Sequence, residues 1–202
     1  GEDGTVQGLL ELANVPYVGA GVLASSVGMD KAVMKVLFAA RQLPVAPWRL
    51  VRARDWAADR AGVAARLMVE LGLPLFVKPA NLGSSVGISK AKDAAGLQAA
   101  IDLAVQYDRK VVVEQAVPRA REIEVAVLGN DEPAASVAGE IVPSREFYDY
   151  EAKYLDDGST LIIPAPLGEA EMTEVRRLAV EAFLTVDGSG MGRVDFLLDG
   201  VT

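Results

Sequence analysis

Apolar and polar residues alternate along this chain with two periods, and the switch between them predicts its elements. A helical spacing runs from Thr5 to Ala13, and a short apolar run from Val15 to Val18 reads as a strand. Asp30 is placed to cap a helix to about Gln42, with Val33, Val36, Leu37 and Ala40 on one face and Pro44 beyond its end. Val45 to Val51 reads as a strand, and Asp59 to Leu71 as a helix closed by Gly72. Leu75 to Lys78 and Val86 to Lys90 read as two strands around a small-residue loop. Asp93 caps a further helix to about Tyr107, and Lys110 to Glu114 is a strand.

The second half is richer in strand. Glu122 to Leu128 alternates strictly, and Ala134 to Val142 follows the turn residues Asn130 and Asp131. Phe147 to Tyr154 has no clear period and reads as a functional loop. Leu161 to Ile163 is a short strand, Glu169 to Phe183 an amphipathic helix, and Gly192 to Leu198 a last strand. This pattern predicts an α/β (α+β) chain of two lobes divided near Pro118, with a separate leading piece that ends near Gly28.

Composition narrows the chemistry. The chain has 202 residues, 51% of them hydrophobic and 24% charged, as an ordinary globular protein does. Its formal charge of −8 disfavours a nucleic-acid backbone as a partner, although a local group of Lys and Arg can still hold a small phosphorylated ligand. With no Cys and no His, thiol chemistry, disulfides and the commonest zinc ligands are excluded. No apolar run reaches membrane-spanning length, and the first residues do not read as a signal peptide. Both ends are expected to be cuts from a longer chain.

Several segments are candidates for chemistry. In Phe76–Gly87 a Lys leaves a strand end and a loop of Gly and Ser follows. Small residues let backbone N–H groups approach a phosphate, and Lys78 supplies charge; a plain hairpin turn fits equally well. Gly19 to Ala24 loosely matches a dinucleotide fingerprint after a strand, but no acidic residue lies at the right distance to hold a ribose. Lys31, in the first turn of its helix, opposes the helix dipole unless an anion lies nearby; a solvated lysine is the plainer reading. Glu114 ends the strand Val111-Val112-Val113, where a carboxylate can meet a ligand at a sheet edge. Glu122 and Glu124 share one strand face opposite Ile123, Val125 and Val127. Arg193, Asp195 and Leu197 share a face opposite Val194, Phe196 and Leu198. The Arg-x-Asp pair is either a simple ion pair or a metal carboxylate beside a guanidinium that stabilises developing charge.

In order along the chain, Gly1-Glu2-Asp3-Gly4, Pro16-Tyr17-Val18-Gly19, Met29-Asp30-Lys31, Leu43-Pro44-Val45-Ala46-Pro47-Trp48, Val77-Lys78-Pro79, Gly83-Ser84-Ser85-Val86-Gly87, Phe147-Tyr148-Asp149-Tyr150-Glu151-Ala152-Lys153-Tyr154 and Gly192-Arg193-Val194-Asp195 resemble the D-alanine-D-alanine ligase family of the ATP-grasp superfamily. The resemblance implies an ATP-grasp fold of two α+β lobes, residues 29–117 and an incomplete 118–202, preceded by residues 1–28 as the tail of an N-terminal α/β domain. It also implies a cytoplasmic enzyme of cell-wall peptidoglycan synthesis that uses ATP, with Mg²⁺ or Mn²⁺ and K⁺ as a further candidate cation. Two D-alanine molecules would be its substrates, and the parent protein would be a homodimer with no nucleic-acid or membrane partner.

The same resemblance implies residue roles. Lys31 and Lys78 would hold ATP phosphates, Lys153 would reach the phosphates or the second substrate's carboxylate once its loop closes, and Ser84 and Ser85 with their loop would cover the phosphates. Glu114 would accept from the adenine amino group, with backbone from Gln115 and Val117 on the ring edge. Phe76, Phe147 and Leu197 would line the adenine slot, and Glu122 would bind the ribose. Asp195 would ligate the metal and Arg193 would stabilise the transition state. Lys153, Tyr154 and Ser84 would complete the catalytic set, and Tyr154 goes with dipeptide rather than ester formation. Gln115 stands where the family has Lys. The family's leading His-Gly pair and its later Glu-x-Asn metal pair are not in the 202 residues, so this chain is expected to turn over little by itself. Alternatives are a ligase for another amino or hydroxy acid, a nucleotide-binding module without turnover, and a plain structural α/β domain.

Overall fold

The computed structural model describes residues 2–142 and 159–199. Helices α1 (Thr5–Leu12), α2 (Val22–Met29) and α3 (Lys31–Ala40) open the chain. Then come β1 (Trp48–Arg52), α4 (Ala53–Ala58), α5 (Arg60–Leu71), β2 (Leu75–Pro79), β3 (Ser89–Ala91), α6 (Ala94–Ala104) and β4 (Lys110–Gln115). The remaining described elements are β5 (Arg121–Gly129), β6 (Ala134–Ala135), β7 (Gly139–Val142), β8 (Thr160–Ile162), α7 (Glu169–Thr185) and β9 (Gly190–Leu198).

The first sheet has the order β1-β4-β2-β3, with every pairing antiparallel. Alternation along its strands divides it into two unlike faces. Val51, Leu75, Val77, Val111 and Val113 turn to one side, where they form a core with Val63, Leu67 and Leu71 of α5 and Leu97 and Ile101 of α6. Each fully buried aliphatic side chain there contributes about 1.5–3 kcal/mol. The other face carries Trp48, Phe76, Lys78, Val112 and Glu114, and α3 lies against it through a small cluster of Ala32, Ala80, Val112 and Trp48. Because β4 is covered on both faces, Val111-Val112-Val113 is apolar without alternation.

In the second sheet β5 is central. It pairs with β9 along its whole length on one edge and with β7 and β6 on the other. Ile123, Val125 and Val127 meet Val175, Ala179 and Phe183 of α7, and Val194, Phe196 and Leu198 pack against the same cluster. The opposite face carries Glu122, Glu124, Arg193, Asp195 and Leu197.

The caps expected at Asp30 and Asp93 form, and Asp59, expected as the first residue of its helix, caps α5 instead; each carboxylate accepts from backbone N–H in the first turn. Other expectations are corrected. Residues 15–18 are not a strand, so the Gly19–Ala24 segment lacks the strand that a dinucleotide fingerprint requires; Gly21 instead caps α2, which was not anticipated. Its apolar residues have no clean helical stripe. Helix α4 was missed because Ala53–Ala58 is too short to show a period. The strand expected at Val86–Lys90 is displaced to Ser89–Ala91, because residues 84–87 form a turn. The run Ala134–Val142 divides into β6 and β7. The apolar face expected on α3 is not its buried face: Ala32 and Lys35 are buried, whereas Val33 and Val36 are exposed.

Candidate nucleotide site

The candidate residues assemble on the α3 face of the first sheet. Strand parity places Phe76 and Lys78 of β2 on this face, and the register sets Phe76 beside Glu114. From above, α3 brings Lys31 and Lys35, four residues apart and so on one side of the helix. Glu114 is the hub. One of its carboxylate oxygens pairs with Lys35 Nζ at 3.1 Å and the other accepts from Lys78 Nζ at 2.7 Å. Burial alone would push Glu114 up, but the charges of Lys78 and Lys35 outweigh it and hold the carboxyl below its ordinary value.

Lys31 sits beside this group and donates to the carbonyl of Leu82, at the entrance to the Gly-Ser loop. Burial, reinforced by the nearby Lys78 ammonium, pushes Lys31 down to about 8. Its helix is anchored at both levels: the Lys31 N–H donates to the carbonyl of Ala80 at 2.9 Å, and Lys110 pairs with the capping Asp30. Phe76 contributes an aromatic face, with Lys78 Nζ 5.9 Å and Lys90 Nζ 5.6 Å from the ring centroid.

The Gly-Ser loop has an unusual backbone. Ser84 and Ser85 adopt left-handed conformations, with φ of 53° and 59°. Gly87 follows at φ 69°, and a Cβ there would lie 2.7 Å from the Tyr107 ring and 2.9 Å from Pro79. Strain of this kind is held in place by surrounding structure and often marks a ligand-binding turn. At the end of β4, Gln115 N–H donates to the carbonyl of Pro47 at 2.9 Å. Any contribution of Gln115 to a ligand would therefore come through its carbonyl. Val117 lies in the connection to β5.

A second group lies on the second sheet. Glu122 is opposite Leu197, and Glu124 is opposite Asp195. Arg193 makes a two-point contact with Asp195 at 2.7 and 2.9 Å and reaches Glu124 at 3.2 Å. Arg193 and Asp195 are thus paired in the ligand-free chain. Among the described residues no group of three or more acidic metal-ligating side chains assembles. Phe147, Lys153 and Tyr154 lie outside the described residues.

Sequence reasoning did not single out Lys35 for a role. The available signal was its spacing of four from Lys31, combined with the strand parity that aims Lys78 and Glu114 at the same helix.

The chain is similar to known proteins over nearly its whole length. The model of the family described as "D-ala D-ala ligase C-terminus" matches residues 37–201. A D-alanine--D-alanine ligase of Heliobacterium modesticaldum is 59% identical over 98% of this chain and 54% of its own length. One from Bacillus licheniformis is 58% identical over 98% of this chain and 55% of its own length. The structure of the D-alanine-D-alanine ligase from Coxiella burnetii superposes with a TM-score of 0.84 at 38% identity, covering 99% of this chain and 52% of that one. The VanG D-Ala:D-Ser ligase from Enterococcus faecalis gives 0.86 at 34% identity, covering 98% and 57%. The chain spans about half the length of the curated relatives it matches.

Proposed function

Since the chain belongs to the D-alanine-D-alanine ligase C-terminal family, we propose that it is the nucleotide-binding part of a ligase that joins two D-alanines at the expense of ATP. The observation that carries this reading is the convergence of Lys31, Lys78 and a buried Glu114 beside the Gly-Ser loop. Residues 29–117 would form one lobe of an ATP-grasp fold and 118–202 the other, with 1–28 belonging to a preceding domain.

A carboxylate is a poor electrophile, so the proposed reaction first activates it. An oxygen of the first D-alanine's carboxylate attacks the γ-phosphorus of ATP, ADP leaves, and an acylphosphate forms. The amine of the second D-alanine then attacks the acyl carbon, the C–O bond to phosphate breaks, and the amine gives up its proton. The protein's contribution to such a transfer is positioning and charge neutralisation.

Lys31 and Lys78 would hold phosphate oxygens, with the N–H groups and hydroxyls of Ser84 and Ser85 over them. Phe76 and Leu197 would flank the adenine, Glu114 would accept from its amino group, and the Gln115 carbonyl and Val117 N–H would meet the ring edge. Glu122 would bind the ribose. Arg193 would stabilise charge on the phosphoryl group in flight. Lys153, Tyr154 and Phe147 are proposed partners from the sequence. Asp195 offers the hard oxygen that Mg²⁺ or Mn²⁺ prefers, and the nucleotide's phosphates would supply further ligands. A divalent ion bound there would neutralise phosphate charge. K⁺ as a further cation, a cytoplasmic location and a homodimeric parent belong to the same proposal. Among the described residues no helix is long and apolar enough to cross a membrane.

The test is phosphate release from Mg-ATP by a protein of the relatives' full length that carries this sequence. D-alanine, D-serine, L-alanine and D-lactate are each supplied as second substrate. Release that requires D-alanine and yields the dipeptide is the expected result. No phosphate release with any of the four would sink the reading. Likeness to a D-Ala:D-Ser ligase makes D-serine the specific second reading, and incorporation of D-serine in preference to D-alanine would select it.

A further inference from the structure

Helix α3 leaves two of its valines exposed and turns a lysine inward. Val33 and Val36 are 42% and 57% exposed, while Lys35 is 9% exposed and faces the sheet. An ammonium in that position loses hydration and must be compensated by a partner. The partner is Glu114, which already has a second lysine, Lys78, on its other oxygen. One cation is enough to neutralise one carboxylate, so the second calls for a reason.

The two lysines are not equivalent. Lys78 is the more exposed side chain, at 20% against 11% for Lys35. It stands on β2, which leads directly into the Gly-Ser loop, whereas Lys35 lies a helical turn beyond Lys31. An arriving polyphosphate draws the nearer and more exposed ammonium. If Lys78 were the sole partner of Glu114, its departure would strand a buried carboxylate, which is strongly unfavourable.

We infer that Lys35 is a positioning residue for nucleotide binding: it is the standing partner of Glu114, and keeps that carboxylate ionised and aimed while Lys78 turns to the phosphates. The inference rests on the nucleotide reading above. Glu114 would thus exchange partners on binding, giving up Lys78 for a donor on the base and retaining Lys35 throughout.

The experiment uses the full-length protein, with KM and kcat measured for ATP and for inosine triphosphate, whose base has an oxygen in place of the amino group. Lys35→Met is expected to raise KM for ATP about tenfold, about 1.4 kcal/mol, with a much smaller fall in kcat. It should also narrow the preference for ATP over inosine triphosphate. Lys35→Arg should recover most of both. In a Glu114→Gln background, Lys35→Met should add little, because its effect passes through Glu114. Should Lys35→Met fail to fold, Lys35→Gln removes the charge with a shorter, neutral polar side chain, and the same measurements apply. A KM for ATP within twofold of the parent's, or an equal loss in the Glu114→Gln background, would overturn the inference. Failure of the parent itself to bind ATP would instead overturn the nucleotide reading on which it stands.

Discussion

Lys31 titrates well below an ordinary lysine, in a range that nucleotide-binding assays can span. Burial, then the neighbouring Lys78 ammonium, sets it at about 8 in the ligand-free chain. The unfolded chain binds this proton up to about 10.4. A charged Lys31 therefore costs the ligand-free fold stability below about 8, and that cost is relieved as pH rises through 8 towards 10. A polyphosphate reverses the preference by favouring the ammonium. Nucleotide binding above pH 8 must then take up a proton, and the dissociation constant should rise with pH at up to about tenfold per unit between about 8 and 10. Calorimetric titrations in buffers of different ionisation enthalpy report the proton directly. Lys31→Arg, which stays charged throughout, should flatten the profile. A parent protein whose ATP affinity is level from pH 7 to 10 would show that Lys31 does not meet the phosphates.

At the scale of elements, Asp102 of α6 takes part in two polar contacts with the helices around the first core, and they separate two kinds of energy. Trp56 of α4 is almost wholly buried and donates from Nε1 to Asp102 of α6 at 2.8 Å. The same carboxylate meets the exposed Arg60 at 3.2 Å. Asp102→Ala leaves the indole N–H without a partner and should cost about 1–3 kcal/mol. Asp102→Asn keeps an acceptor and loses only the exposed ion pair, worth about 0–1 kcal/mol. Urea unfolding of the two variants decides the matter, since equal losses would assign the contact's value to charge instead. Legibility in the sequence follows the same divide between local and distant causes. The Asp30 and Asp93 caps and the parity of β5 and β9 were readable because each depends on neighbours a few residues away. Lys31, Lys78 and Glu114, which the structure brings together, were readable as candidates as well. The inward turn of Lys35 was not, because the apolar pattern of α3 favours Val33 and Val36. What overrides it is Glu114, 79 positions along the chain. Helix α2 and the division of Ala134–Val142 into β6 and β7 were likewise hidden by runs with no distinct period.

For the molecule as a whole, acid should act through carboxylates that the fold holds ionised. Glu140 of β7 is the informative case on the second sheet. Arg121 of β5 grips both its oxygens at 2.8 and 2.7 Å and also reaches the carbonyl of Pro166 at 3.2 Å, so β5, β7 and the approach to α7 meet at one guanidinium. The hydrogen bonds from Arg121 hold Glu140 below the usual carboxylate range against the opposing effect of burial. Glu114 of β4 and Asp30, the cap of α3, are lowered too. A lowered folded value means that the unfolded chain binds more protons below about 4.5. The stabilisation is complete above that pH and is lost as pH falls through the folded values. Arg121→Met removes the cause at Glu140 alone. It should reduce stability at pH 7, and the gap between parent and variant should close as pH falls from about 5 towards 3, because a protonated Glu140 no longer needs the guanidinium. Denaturant midpoints measured across that range provide the test. A gap that stays constant would mean that Arg121 acts through packing and its bond to Pro166. Closure in the Arg121→Met comparison, together with residual acid sensitivity in the variant, would leave Glu114 and Asp30 as the groups through which acid loosens the lysine-rich face.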